Sequence, residues 1–160
     1  MLFQIEEPDG SPLGELDGPG AAVGIDLAAP RASVAIAVGG NAEVLVSRDG
    51  SPGPETATLR DVAGKLEPVA AVAVLLALRG RAERALGRPV THAVIAVAEP
   101  LDAAVRAAIS DAAMASGLMP TRILVAAEAA ALSGGAGTAE AVAYGAAIAA
   151  EDDAVSTSRR

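Results

Sequence analysis

Apolar positions in this chain recur with two different periods, and the alternation between them lays out its elements. Ala21 to Leu27, Ser33 to Val38 and Glu43 to Ser47 are short runs rich in β-branched and small apolar residues. Gly39-Gly40-Asn41 separates the last two, supplying the positive-φ residues of a tight hairpin, so a three-stranded antiparallel meander is predicted. Ser51 to Glu55 (SPGPE) is a loop. Helical spacing begins near Glu67-Pro68, where a proline costs no hydrogen bond, and continues through Val72, Leu75, Leu76 and Leu86 to stop at Gly87, with Gly80 as a weak point midway.

Val90 to Val97 follows as an unbroken apolar run suited to a strand buried on both faces. Asp102 stands where a helix N-cap belongs, ahead of Val105, Ile109 and Ala112 on one face, and Gly117 ends that helix. Arg122 to Val125 resumes the strand pattern, and a strand returning after a helix of this length lies parallel to the first by a right-handed crossover. Glu128 to Leu132 is a short helix and Gly134 to Gly137 a link. Thr138 caps a last helix that carries Val142, Ala146 and Ala149 on one side. The order β-β-β-α-β-α-β-α-α predicts an α/β fold with a five-stranded mixed sheet, three strands antiparallel and two parallel, flanked by helices.

Composition narrows the function classes. A chain of 160 residues with 52% apolar and 20% charged residues makes one domain, and a domain of this size buries about 70% of its unfolded surface. Forty alanines and only two aromatic residues, Phe3 and Tyr144, imply a core of Val, Leu, Ile and Ala with helices lying close to the sheet. The longest apolar run, Val69 to Leu78, is too short to span a bilayer. A net charge of −8 argues against a nucleic-acid partner, and the absence of cysteine leaves no disulfide framework or thiolate metal site. No basic leader precedes an apolar stretch at the N-terminus, so a cytoplasmic location is expected. Residues 1–20 hold five acids, no base, three prolines and four glycines and read as a flexible acidic tail. Residues 21–150 form the folded domain, and 151–160 are expected to fray.

One stretch adds a resemblance. From Pro89 to Leu132 the chain reads PVTHAVIAVAEPLDAAVRAAISDAAMASGLMPTRILVAAEAAAL. It is similar, without a gap, to the ATPase domain of the DnaK-class heat-shock chaperones, in the actin-like superfamily. Matching residues include Thr91, Val94, Ile95, Val97, Arg106, Asp111, Gly117, Arg122, Ile123 and Ala129 to Leu132. Gly24-Ile25-Asp26-Leu27 resembles the family's opening strand, and Glu140 to Ala147 (EAVAYGAA) its closing helix. The resemblance implies a ribonuclease H-like half-domain, one lobe of an actin-like ATPase.

It also shows what is replaced. Where the family's first hairpin holds phosphate with a glycine and two threonines, this chain has Ala28, Ala29 and Pro30. Proline offers no N–H, and alanine offers no hydroxyl and disfavours positive φ. The family's glutamate near the metal falls on Ala126, with Glu128 two positions late, and the second lobe would have to fit in the five residues between Leu132 and Thr138. Gly24 and Asp26 are thus vestiges of a nucleotide site. No catalytic residue, cofactor or metal is expected, because one carboxylate seldom holds Mg²⁺ without phosphate.

His92 lacks an orienting partner in the sequence, Lys65 reads as a solvated charge, and no Lys-Ser/Thr follows the Gly134 to Gly137 stretch as in a P-loop. In the family the positions of Arg106 and Arg122 belong to the face where the interdomain linker and co-chaperone J-domains dock. The expectation is a non-catalytic module that binds a protein partner, in an accessory or chaperone-type role. The alternatives are one lobe of a split ATPase completed by a second chain, and a ribonuclease H-like nuclease, which would need further carboxylates beside Asp26.

Overall fold

The computed structural model describes residues 20–134 and 139–159. Five strands form one sheet in the order β3-β2-β1-β4-β5. They are β1 (Ala21–Asp26), β2 (Ser33–Val38), β3 (Asn41–Val44), β4 (Val90–Val97) and β5 (Met119–Val125). β1 pairs antiparallel with β2 and parallel with β4, so the sheet changes sense at the strand that opens the fold. The helices are α1 (Pro68–Leu86), α2 (Ala103–Ala115), α3 (Ala126–Leu132) and α4 (Ala141–Ser158), with a short 3-10 turn at Ala57–Leu59. This is the expected mixed sheet of an actin-like half-domain.

Local chemistry sets most boundaries. Pro68 opens α1 and Gly87, at φ 68°, closes it in the left-handed conformation. The Asp102 carboxylate accepts from Val105 N at 2.8 Å, which caps α2. Gly39 and Gly40, at φ 61° and 81°, make the β2–β3 turn. Three elements differ from expectation. β3 runs from Asn41 to Val44 rather than Glu43 to Ser47, because the two glycines alone complete the turn, Asn41 already pairs with Val38, and the ladder with β2 ends at Val44 opposite Ala35. β5 starts at Met119, since pairing with β4 begins at His92 opposite Met119 and extends a strand whose first residues carry no strand pattern. α3 begins at Ala126, ahead of Glu128. Thr138, expected to cap the last helix, does not: α4 starts at Ala141 with Glu140 at its N-cap and no side-chain cap bond. Thr138 itself, most of the Gly134 to Gly137 link and the acidic stretch before Gly20 lie outside the described residues.

The two faces of the sheet are packed in different materials. One face meets α1 and α2 through Val23, Ile25, Val34, Ile95, Leu75, Leu78, Ile109 and Leu118, all essentially inaccessible to solvent. The other meets α4 through Ala35, Ala37, Val94 and Ala96 against Ala143, Ala146, Ala147, Ala149 and Ala150. Gly24 lies on this second face, and a Cβ there would overlap the backbone of Ala146 and come within 2.6 Å of Ala147 Cα. Gly145 plays the same part on the far side of α4, where a side chain would run into the Ala129 carbonyl of α3. The helix therefore sits directly on main chain.

Residues 151–158, expected to fray, are helical, and the reason is tertiary. Glu151 accepts from Gly39 N and, at 2.9 Å, from Gly40 N, pinning α4 to the β2–β3 turn at one edge of the sheet. Asp153 pairs with Arg122 Nε at 3.1 Å at the opposite edge. Thr157 and Ser158 then bond back to the Asp153 and Ala154 carbonyls within the helix.

On the aliphatic side a polar knot ties α1 to its neighbours. Glu83 Oε1 accepts from Arg79 Nε at 3.1 Å and from Val90 N at 3.0 Å, while Arg79 Nη1 donates to the Ser116 carbonyl at 2.9 Å. Gly117, at φ 83°, leaves the space the Arg79 guanidinium fills.

Glycine substitutions separate packing from propensity. Gly24→Ala should lower stability by about 1–3 kcal/mol or more, because α4 must lift off the strand. Gly80→Ala should raise it by about 0.5–1 kcal/mol, since α1 runs unbroken through Gly80 and alanine restores helix propensity. Urea unfolding of the two variants measures both; equal effects would show that α4 is not seated on Gly24.

Candidate functional site

β1 and β4 run parallel and side by side, so their C-terminal ends bring Asp26, Leu27 and Val97 together at one rim of the sheet. A cavity of about 210 Å³ opens there, with Leu27, Ala28, Leu59, Val97 and Ile109 on its wall and Thr56 and Arg60 as its polar side chains. Asp26 is 1% exposed. Its Oδ1 accepts from Ala28 N at 2.7 Å and from Ala29 N at 3.2 Å, so the carboxylate folds back on the hairpin that follows it. Both amides are thus engaged by the chain's own acid.

The rest of the hairpin is fastened as well. Thr56 Oγ1 donates to the Ala29 carbonyl at 2.6 Å, Thr56 N to Pro30 O at 3.0 Å, and Ala32 N to Pro54 O at 2.8 Å. Arg31 reaches the same segment through Gly53 O at 3.1 Å and Glu55 at 3.0 Å. Thr56 carries no signal in the sequence. It lies 27 residues from Ala29, and only the folded path of the 51–56 segment brings it beneath the loop.

The remaining residues singled out in the sequence do not gather at this rim. Glu128 turns back to accept from Val125 N at 3.4 Å and caps α3. His92 Nδ1 lies 2.8 Å from Thr91 Oγ1 at the opposite end of β4. Lys65 is exposed in a turn closed by Asp61, whose Oδ1 accepts from Lys65 N at 2.8 Å. Among the described residues no three metal-ligating side chains cluster, and no helix is long and apolar enough to cross a membrane.

Arg106 and Arg122 border one groove, but Arg106 lies against the β5 backbone from α2 while Arg122 turns to α4 on the other face of the sheet. The groove, of about 760 Å³, runs between α2 and β5, the edge strand, with Leu101, Pro120 and Leu124 as its apolar floor. Arg106 Nη1 donates to the Ile123 carbonyl at 2.9 Å. Arg122 has structural work besides: it pairs with Asp153 and donates to the Ala149 carbonyl at 3.3 Å, holding α4 to the sheet edge.

Comparison with known proteins decides the family. The family described as Hsp70 protein matches residues 60–145, just over half of the chain. The chain belongs to the Hsp70 family. It is 44% identical over 93 residues to the chaperone protein HscA homolog of Azoarcus sp. (strain BH72), an overlap of 58% of this chain and 13% of that protein. The chain thus spans a small part of the curated relative it matches. The Hsp70 match takes in α1 to α3 and the first turn of α4, and begins after the Ala28-Ala29-Pro30 hairpin.

Asp26 yields a pH test. Burial raises its carboxyl above the ordinary 3.8, and the Ala28 and Ala29 amides pull downward against that. With a folded value above the unfolded one, folding takes up a proton between the two. The Asp26 contribution is therefore fully present below 3.8 and is lost as pH rises through the folded value. Asp26→Asn keeps an acceptor without a charge, so it should match or exceed the parent at pH 7 and abolish this part of the pH dependence. Asp26→Ala strands two amides and should cost about 1–3 kcal/mol. Thermal melts from pH 3 to 7 would check both, and a clear loss for the asparagine variant would mean that the ionised form is needed.

Proposed function

We propose that this chain is a non-catalytic, Hsp70-derived interaction module, a pseudo-ATPase lobe that acts in the cytoplasm by binding a protein partner rather than by turning over nucleotide. The observation that carries the reading is the closed hairpin: Asp26 takes the Ala28 and Ala29 amides for itself. Phosphate recognition by a loop rests on unengaged backbone N–H groups converging on the anion. Here two are bonded internally, the third position is Pro30, and no hydroxyl stands at Ala28 or Ala29. An acid that would face a metal in a nucleotide site is instead a buried strut of the loop.

The partner face in this reading is the groove between α2 and β5, where Arg106 lies over an apolar floor and Arg122 leaves the strand edge toward α4. Arginine beside desolvated apolar surface is the composition of interface anchors. By likeness to the family, the partner class is a J-domain or an extended linker segment. β5 lies at the edge of the sheet, and an edge strand is where an added chain can pair.

Two measurements test the parts separately. Titration of the protein with Mg-ATP should give no saturable heat, and a dissociation constant in the micromolar range would overturn the pseudo-ATPase reading. Titration with a purified J-domain should shift amide resonances along α2 and β5, and Arg106→Ala should weaken that binding by about 1–3 kcal/mol with only a small fall in melting temperature, from the lost bond to the Ile123 carbonyl. Arg122→Ala should weaken both binding and melting, because it also releases Asp153. Absence of any J-domain binding would remove that partner class without touching the nucleotide result.

A further inference from the structure

Twelve basic residues serve a chain with twenty acidic ones, and four of the twelve fall between Arg79 and Arg88. Arg79 is engaged by Glu83 and Ser116. Arg81 and Arg84 instead line a cleft of about 390 Å³ between the C-terminal half of α1 and the loop leaving β3, where Arg48 joins them from the loop side. Arg81 Nη2 donates to the Ser51 and Pro52 carbonyls at 3.3 and 2.9 Å, which fixes the loop against the helix. Gly80 leaves room for the Arg84 guanidinium to lie along α1, its Nη1 3.2 Å from where a Cβ would stand. Arg48 and Arg84 are exposed, and Val46, 68% exposed, supplies an apolar wall with Ala85.

One acid shares the cleft. Asp49 accepts from Ser51 N and Oγ at 2.9 and 2.6 Å, and these Ser51 bonds hold its carboxyl down at about 2. It is committed to its own turn. Three guanidinium groups from two elements thus face a single satisfied carboxylate, in a chain whose net charge is −8. A local excess of this kind attracts an acidic segment by charge complementarity.

We propose that this cleft accepts an acidic peptide and that its occupant in the free protein is the chain's own N-terminal stretch, residues 1–19. That stretch holds Glu6, Glu7, Asp9, Glu15 and Asp17 with no basic residue, and Leu2, Phe3 and Ile5 lie beside the first acids to meet Val46 and Ala85. The chain enters the sheet where Ala21 N donates to Pro89 O at 2.9 Å, beside the junction of α1 and β4 and therefore at the end of α1 that bears Arg81 and Arg84. Nineteen extended residues reach up to ~60 Å, ample for the distance. Exposed charge pairs are individually weak and screened by salt, so the strap is reversible and an acidic segment of another protein can displace it.

The absence of cysteine makes the test direct, because Ser11→Cys gives a single site for a nitroxide label. In the full chain at about 20 mM salt, amide signals of Val46 to Asp49 and Arg81 to Ala85 should lose intensity selectively and recover at about 0.5 M, where the Debye length shrinks to a few ångströms. The loss should vanish in Arg48→Glu/Arg84→Glu. If that variant does not fold, charge reversal at Glu6, Glu7 and Glu15 asks the same question without altering the body. Uniform broadening, broadening centred on the groove between α2 and β5, or no salt dependence would overturn the proposal. Broadening that persists when the label sits on a separate chain would also overturn the intramolecular occupant, assigning the cleft to a second copy.

Discussion

The approach of α4 to the sheet is the contact on which the rest of this fold depends. Gly24 has no side chain, and that lets the backbone at Ala146 and Ala147 rest on β1, while Gly145 lets the Ala129 carbonyl rest on α4 from the other side. With main chain against main chain there is no slack for a larger residue at either contact, so the neighbouring positions on β2, β4 and α4 are alanines. Alanine thus dominates this face by geometry, while bulkier Leu, Ile and Val supply most of the core on the other.

Seating α4 in this way also orders its ends. A helix laid across the sheet reaches both edges, and Glu151 and Asp153 sit where they can fasten it to the Gly39-Gly40 turn and to Arg122. Arg122 therefore belongs to two structures at once, the groove between α2 and β5 and the clamp on α4.

Several carboxylates are turned back on the chain's own backbone or its neighbouring side chains. Asp26 caps its own hairpin, Glu83 gathers Arg79 and the Val90 amide, and Asp49 and Asp61 each close the turn in which they lie. Carboxylates engaged with backbone donors stabilise the loops they close. Arg48, Arg84 and Arg106 keep exposed surface.

By itself the sequence determined what short-range chemistry decides. Ser33–Val38 and Val90–Val97 are legible as strands because their apolar runs are unbroken, and α1 and α2 because Pro68, Gly87 and Asp102 mark their ends within a turn. The family likeness, too, lay in the order of residues, as did the loss of glycine and hydroxyls at Ala28 to Pro30. Contacts between residues far apart in the chain were left to the tertiary structure. That α4 continues to Ser158 depends on pairing across more than a hundred residues with Gly40, and that Asp26 fills its own hairpin depends on the turn Thr56 holds from beneath. The convergence of Arg48 with Arg81 and Arg84 has the same origin, as has the parting of Arg106 and Arg122 to opposite faces of the sheet. Periodicity reports which way a side chain faces on its own element, and only the packing of elements decides what stands opposite.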